Sequence, residues 1–129
     1  MRLLLLTLVF ISFSVVSFAQ DVTFMLTHGT RRKWTSVEKT SSPNSTGNMT
    51  LFFNGSHKVE YQPVNSLQNP FSQNWALLGG DNIFDEKITM QIGTTIYTVT
   101  FSKTSNGDDF MTLTYFRNDR AFTNSYYSE

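Results

Sequence analysis

The sequence predicts an all-β protein: a single antiparallel up-and-down β-barrel of about eight strands, with a short N-terminal helical or irregular plug. Three observations predict it. Several segments alternate apolar and polar residues with period two, the pattern of a strand with one buried face. All seven glycines and all three prolines fall between those segments, so no strand interior loses a ladder bond. No stretch of about ten residues carries a helical period with caps, so the strands follow one another without helical crossovers. Such a chain forms a meander, and closing it into a barrel removes the two edges that would otherwise template aggregation. An open two-sheet sandwich is the alternative the same pattern allows.

Residues 1–20, "MRLLLLTLVFISFSVVSFAQ", place one positive charge at Arg2 before an apolar run that ends in Ser17, Phe18 and Ala19. That order is expected of a secretory signal peptide cut after Ala19. The run is short for a membrane span of about 20 residues, and with no cysteine there is none to take a lipid. Residues 20–129 are then one domain, and its destination is secreted or periplasmic. Residues 22–28 supply the plug, and the first strand, 33–39, carries Trp34.

The next two strands form a hairpin. Met49, Leu51 and Phe53 share one face, as do His57, Val59 and Tyr61, and Asn54-Gly55 between them predicts a two-residue turn with positive φ at both central positions. Asn54-Gly55-Ser56 also fits the acceptor pattern for N-linked sugar. The chain has ten Asn and 31 Ser plus Thr in 129 residues, so chance gives about 2.4 such matches. Three occur, at Asn44, Asn48 and Asn54, and the turn is a sufficient reason for the third. A short strand at 74–78 carries Trp75. "EKITMQI" then sets Ile88, Met90 and Ile92 on one face, "TIYTVTF" Tyr97, Val99 and Phe101, and "FMTLTYF" Met111, Leu113 and Tyr115. A last strand covers about 120–127.

Composition narrows the function. Without cysteine no disulfide staples the domain, so packing and strand closure must hold it. Removing Arg2 from ten basic residues leaves nine against ten acidic, a net charge of −1, and no basic run exceeds Arg31-Arg32-Lys33. Neither nucleic acid nor an anionic membrane is an expected partner. His28 and His57 lack a third ligand at metal spacing, and there is no Gly-x-Ser-x-Gly elbow. The expectation is a protein that is not an enzyme and holds neither metal nor cofactor. Asp108-Asp109 reads as a turn and Asp85-Glu86 as the charged start of a strand.

The order of features resembles the small lipocalin-like, calycin-type domains of bacterial secreted proteins over about residues 29–116. The carriers are a Trp on the first strand ("RRKWTSVEK"), a "LFFNGS" hairpin, a "WALL" strand, then "KITMQIG", "IYTVTF" and "MTLTYF". Larger lipocalins place Gly two residues before that Trp, whereas Gly29 stands five before Trp34. The resemblance implies a barrel closed at one end and open at the other, with a last-strand arginine, Arg117 or Arg120, laid across Trp34. In that orientation Trp34, Phe53, Val59, Leu77, Ile88, Phe101 and Met111 line the floor. Met49, Tyr61, Trp75, Ile92, Tyr97 and Tyr115 line the mouth, with Phe71 arriving from a lid-like loop that also carries Val64 and Leu67. Amphipathic aromatics suit a site apolar on one side and wet on the other. The expected function is binding of a small apolar or amphipathic ligand at the open end. The alternative is an extracellular interaction or structural module, of inhibitor or adhesion type, whose barrel is filled by side chains.

Overall fold

Each alternating segment is a strand in the computed structural model of the protein, which describes residues 21–37, 49–63 and 69–129. Helix α1 (Val22–Thr27) precedes β1 (Arg31–Ser36), β2 (Met49–Asn54), β3 (Lys58–Pro63), β4 (Phe71–Gly79), β5 (Ile88–Ile92), β6 (Thr95–Lys103), β7 (Asp109–Arg117) and β8 (Arg120–Ser128). Every strand pairs antiparallel with its sequence neighbours, and β8 returns to β1 to close the barrel. The expected signal segment, Asn44, Asn48, Val64 and Leu67 lie outside the described residues.

The period-two pattern decides what is buried. Leu51, Phe53 and Val59 on β2 and β3, Ile88, Met90 and Ile92 on β5, and Met111 and Leu113 on β7 meet inside with Trp34, Trp75, Val99 and Tyr126. Many of their outward neighbours are polar, as are Thr98, Thr100, Thr112 and Thr114, which pair across β6 and β7. The alternation makes slippage costly, because a one-residue shift would turn a whole apolar face into water.

Two turns differ from expectation. The β2–β3 hairpin is present, but its turn is not the two-residue type. Phe53 pairs with Val59, His57 N–H donates to the Asn54 carbonyl at 3.3 Å, and the left-handed residue is His57 at φ 62° rather than Asn54 or Gly55. This is a longer loop closed by one left-handed residue. Asn54 organises it through its side chain, whose Oδ1 accepts from Ser56 N–H, Ser56 Oγ–H and Lys58 N–H. Gly55 is needed for closeness instead of φ: a Cβ there would stand 3.3 Å from the Gly29 carbonyl oxygen. The two-residue turn with positive φ at both positions lies at the other end, where Asn118 (φ 52°) and Asp119 (φ 61°) join β7 to β8 and Arg117 pairs with Arg120.

The closed end is held by one buried arginine. Asp21 caps α1 by accepting from Phe24 N–H, and the helix lays Val22 and Leu26 into the core. Arg32, on the inward face two residues before Trp34, then reaches four elements. Its Nε donates to Ser128 Oγ on β8 at 2.8 Å, its Nη1 to the Met25 carbonyl on α1 at 2.8 Å, and its Nη2 to Asp109 Oδ2 on β7 at 2.6 Å. Its guanidinium also lies over the Trp34 ring, 4.7 Å from the centroid. Trp34 Nε1–H donates to the Leu26 carbonyl. The cation expected over Trp34 therefore comes from its own strand. Arg117 and Arg120 are exposed at the opposite end of the barrel.

Asp109, expected as part of a turn, opens β7 and takes this ion pair, with Lys103 on its other oxygen. Burial would raise its carboxyl, but hydrogen bonds and charge from Lys103 and Arg32 outweigh that and hold it below the usual carboxylate range. A depressed carboxylate contributes stability above its unfolded pKa of about 4 and loses it as pH falls through the folded value. Asp109→Asn should therefore flatten the loss of stability below about pH 4 seen in urea melts of the wild type. Replacing Arg32 with Met should cost about 3 kcal/mol, because it strands a half-buried carboxylate and frees the Met25 carbonyl. Asn54→Ala, which removes an acceptor of three bonds, should cost about 1 kcal/mol by urea denaturation.

Candidate functional site

The end expected to be open carries the β1–β2, β3–β4, β5–β6 and β7–β8 connections, and many of its inward residues are aromatic. Tyr61 on β3 pairs with Phe71, the first residue of β4, and their rings stack at 4.6 Å with 7° between planes. Phe71 keeps 45% of its surface exposed, so the pair forms an apolar lip with one wet side. On the far wall, Tyr115 on β7 stacks on Phe122 of β8 at 5.2 Å, and Tyr97 on β6 meets Tyr115 edge-on at 5.6 Å. Strands β3 and β7 stand opposite in a ring of eight.

The phenols from these walls sense one another. Burial is the main cause that pushes the Tyr61 hydroxyl well above its ordinary range, with the charges of Tyr97 and Tyr126 adding to it. Tyr126 is raised for the same first reason, with Tyr97 adding. Tyr97 is raised by burial and by Tyr115, against a hydrogen bond with Thr95. Tyr61, Tyr97 and Tyr126, on β3, β6 and β8, are thus coupled through burial, and all three stay neutral at physiological pH. An uncharged phenol can both donate and accept a hydrogen bond, so this region can host a polar atom within an aromatic surround.

The residues expected at the mouth do not all lie at one depth. Tyr61, Phe71, Tyr97 and Tyr115 are brought together there as half-exposed groups, and Met49 is buried beside them on β2. Ile92 ends β5 beside the β5–β6 turn and pairs with Trp75, and each is only 2% exposed. Trp75 packs against Phe53 edge-on at 5.8 Å and against His57 at 4.8 Å, both of them beside the β2–β3 turn. The reason is length. Strand β4 begins at Phe71 rather than Asn74, so Trp75 is its central residue. Its buried indole N–H has no hydrogen-bond partner among the described residues.

Two members of the cluster escape a reading of the sequence. Phe122 and Tyr126 sit on β8, where "RAFTNSYYS" interleaves Asn124 and Ser128 on the same inward face. Period two is masked there because polar residues fall on both faces. The available signal is the Asn118-Asp119 turn, which fixes the register of Tyr115 against Phe122 and Met111 against Tyr126.

No family model, curated protein or solved structure matches this chain. The site therefore rests on its own geometry.

With hydroxyls raised by burial, the native phenols resist ionisation, and stability that is complete below pH about 10 is lost as pH rises through their folded values. Alkaline titration followed at the phenolate absorbance should show folded protein lagging behind the urea-unfolded chain. Tyr61→Phe should remove part of that lag, whereas coincident curves would mean that the phenols are solvated.

Proposed function

We propose that this protein is a secreted, lipocalin-like carrier that binds a small apolar or amphipathic molecule at the open end of its barrel and performs no catalysis. One observation carries the reading: inward tyrosines of β3, β6 and β7 meet aromatic partners in pairs, Tyr61 on a half-exposed Phe71 and Tyr97 on Tyr115, with Tyr126 buried on β8. The rings at the closed end are dry and held in place, Trp34 by its bond to the Leu26 carbonyl and Phe53 by Trp75. Amphipathic rings concentrated at the wet end instead match what a ligand with an apolar body and a polar atom requires. Each ring covered by a ligand contributes on the order of 1 to 2 kcal/mol.

A second reading has an observation of its own. Ile96 and Phe116 project outward near the same end, 55% and 70% exposed. The β6–β7 register, in which Thr98 faces Thr114, sets them side by side. Paired exposed apolars on a sheet face favour a protein partner.

Fluorescence titration with N-phenylnaphthylamine, an uncharged aromatic probe, separates the two. The wild type should bind it at micromolar concentration. Phe71→Ala should weaken binding about fivefold, and Ile96→Ala, on the outer face, should leave it unchanged. A folded wild type that takes up no probe would end the carrier reading and favour the outer patch.

A further inference from the structure

The rim above the tyrosines carries an arrangement that folding alone does not favour. Arg117 and Arg120 are the closing pair of the β7–β8 hairpin, directly opposite one another in register. Like charges facing across two strands destabilise a sheet. Among the described residues neither has an ion-pair partner, although Asp119 stands in the turn between them. The remaining charges of this hairpin are different in kind, since Asp109 at its far end is paired twice.

Register also fixes which way the pair faces. Tyr115 pairs with Phe122, and the next pair on the same face of the hairpin is Arg117 with Arg120. The two guanidinium-bearing residues thus stand one step above the stacked Tyr115–Phe122 rings, on the face that lines the barrel. Apart from Asp119 they are the only charged groups among the described residues at the open end. Below them the lining is neutral: Tyr97, Tyr115, Phe122 and Tyr126 carry phenyl surface and uncharged hydroxyls. A pair of cations beside an aromatic, inward-facing lining matches one class of molecule, a single apolar body ending in an anionic head.

We infer that the Arg117–Arg120 pair is an anion subsite at the rim, and that the ligand class is an anionic amphiphile whose carboxylate, phosphate or sulfonate sits between the two guanidiniums while its apolar part enters the tyrosine-lined mouth. The inference rests on the carrier reading above. An oxyanion between the arginines relieves their repulsion and accepts forked N–H donors from both. It also explains why two cations are kept where an oppositely charged pair would hold the hairpin better.

Two probes that share one aromatic skeleton test it. Anilinonaphthalene sulfonate carries the anion, and N-phenylnaphthylamine lacks it. The wild type should bind the sulfonate about tenfold more tightly, and that preference should shrink as salt rises. Arg117→Gln combined with Arg120→Gln should bring the sulfonate down to the affinity of the neutral probe and leave the neutral probe as it was. Arg120→Glu is the decisive variant, because it should raise the melting temperature by replacing a like-charge pair with an opposite one, and at the same time abolish the preference for the sulfonate. Dodecanoate, dodecyl phosphate and dodecanol as competitors then identify the head group, the alcohol being the weakest. Equal binding of both probes, or a preference that survives Arg120→Glu, would overturn the anion subsite and leave the carrier reading standing. Absence of binding by either probe would overturn both.

Discussion

The structure depends on a guanidinium that has been taken out of water. Arg32 bonds a serine on the last strand, a carboxylate on the seventh and a carbonyl of the helix, while lying on the indole of its own strand. Burying a charge this way costs several kcal/mol before its partners offset it, and what it gives in return is geometric. A fork of fixed N–H directions can be satisfied only when α1, β1, β7 and β8 stand in one arrangement. In a domain with no disulfide, that single residue supplies much of the specificity that a covalent staple would provide.

The two ends of the barrel use the same residue types for opposite purposes. At the closed end, aromatic rings and a cation are interlocked and dry: Trp34 donates its N–H to Leu26, and Asp109 neutralises Arg32. At the opposite end, rings stack in pairs, and among the described residues Arg117 and Arg120 have no ion-pair partner. Trp75 lies between these regimes, wholly buried yet with an unanswered N–H, a cost of about 1 to 3 kcal/mol unless a weaker contact with the neighbouring Phe53 ring relieves it.

Much of the fold was legible because alternation is a direct image of burial. Met49, Leu51 and Phe53, or Ile88, Met90 and Ile92, can be assigned to the lumen from sequence because each polar neighbour marks the other face. What failed was local and had physical causes. Phe71-Ser72-Gln73 follows a proline and reads as loop, yet pairs with β3 as strand, and this moved Trp75 down by half a strand. Arg32 reads from sequence only as the middle of the Arg31-Arg32-Lys33 run, although period two already places it on the Trp34 face. Asn54-Gly55 carries the commonest hairpin signal, but the αL residue is His57, because Asn54 spends its side chain on the following backbone. The tyrosines of β3, β6 and β7 were visible singly. Their convergence with Tyr126 depends on closure of the ring, which no local pattern records.

That closure has a temporal meaning. The first strand is fastened to the last, through Thr35 with Tyr127 and Ser36 with Tyr126, so the contacts that complete the ring join residues about as far apart along the chain as the domain allows. A polypeptide made or threaded through a membrane from its N-terminus cannot finish any part of this ring early. Until β8 emerges, β1 and β7 both present unpaired edges, and Arg32 has neither Ser128 nor a settled Asp109. Folding is then slow and concerted, as expected for high contact order. The incomplete chain is an open ribbon with two adhesive sides, dependent on its surroundings until the nine residues of β8 arrive.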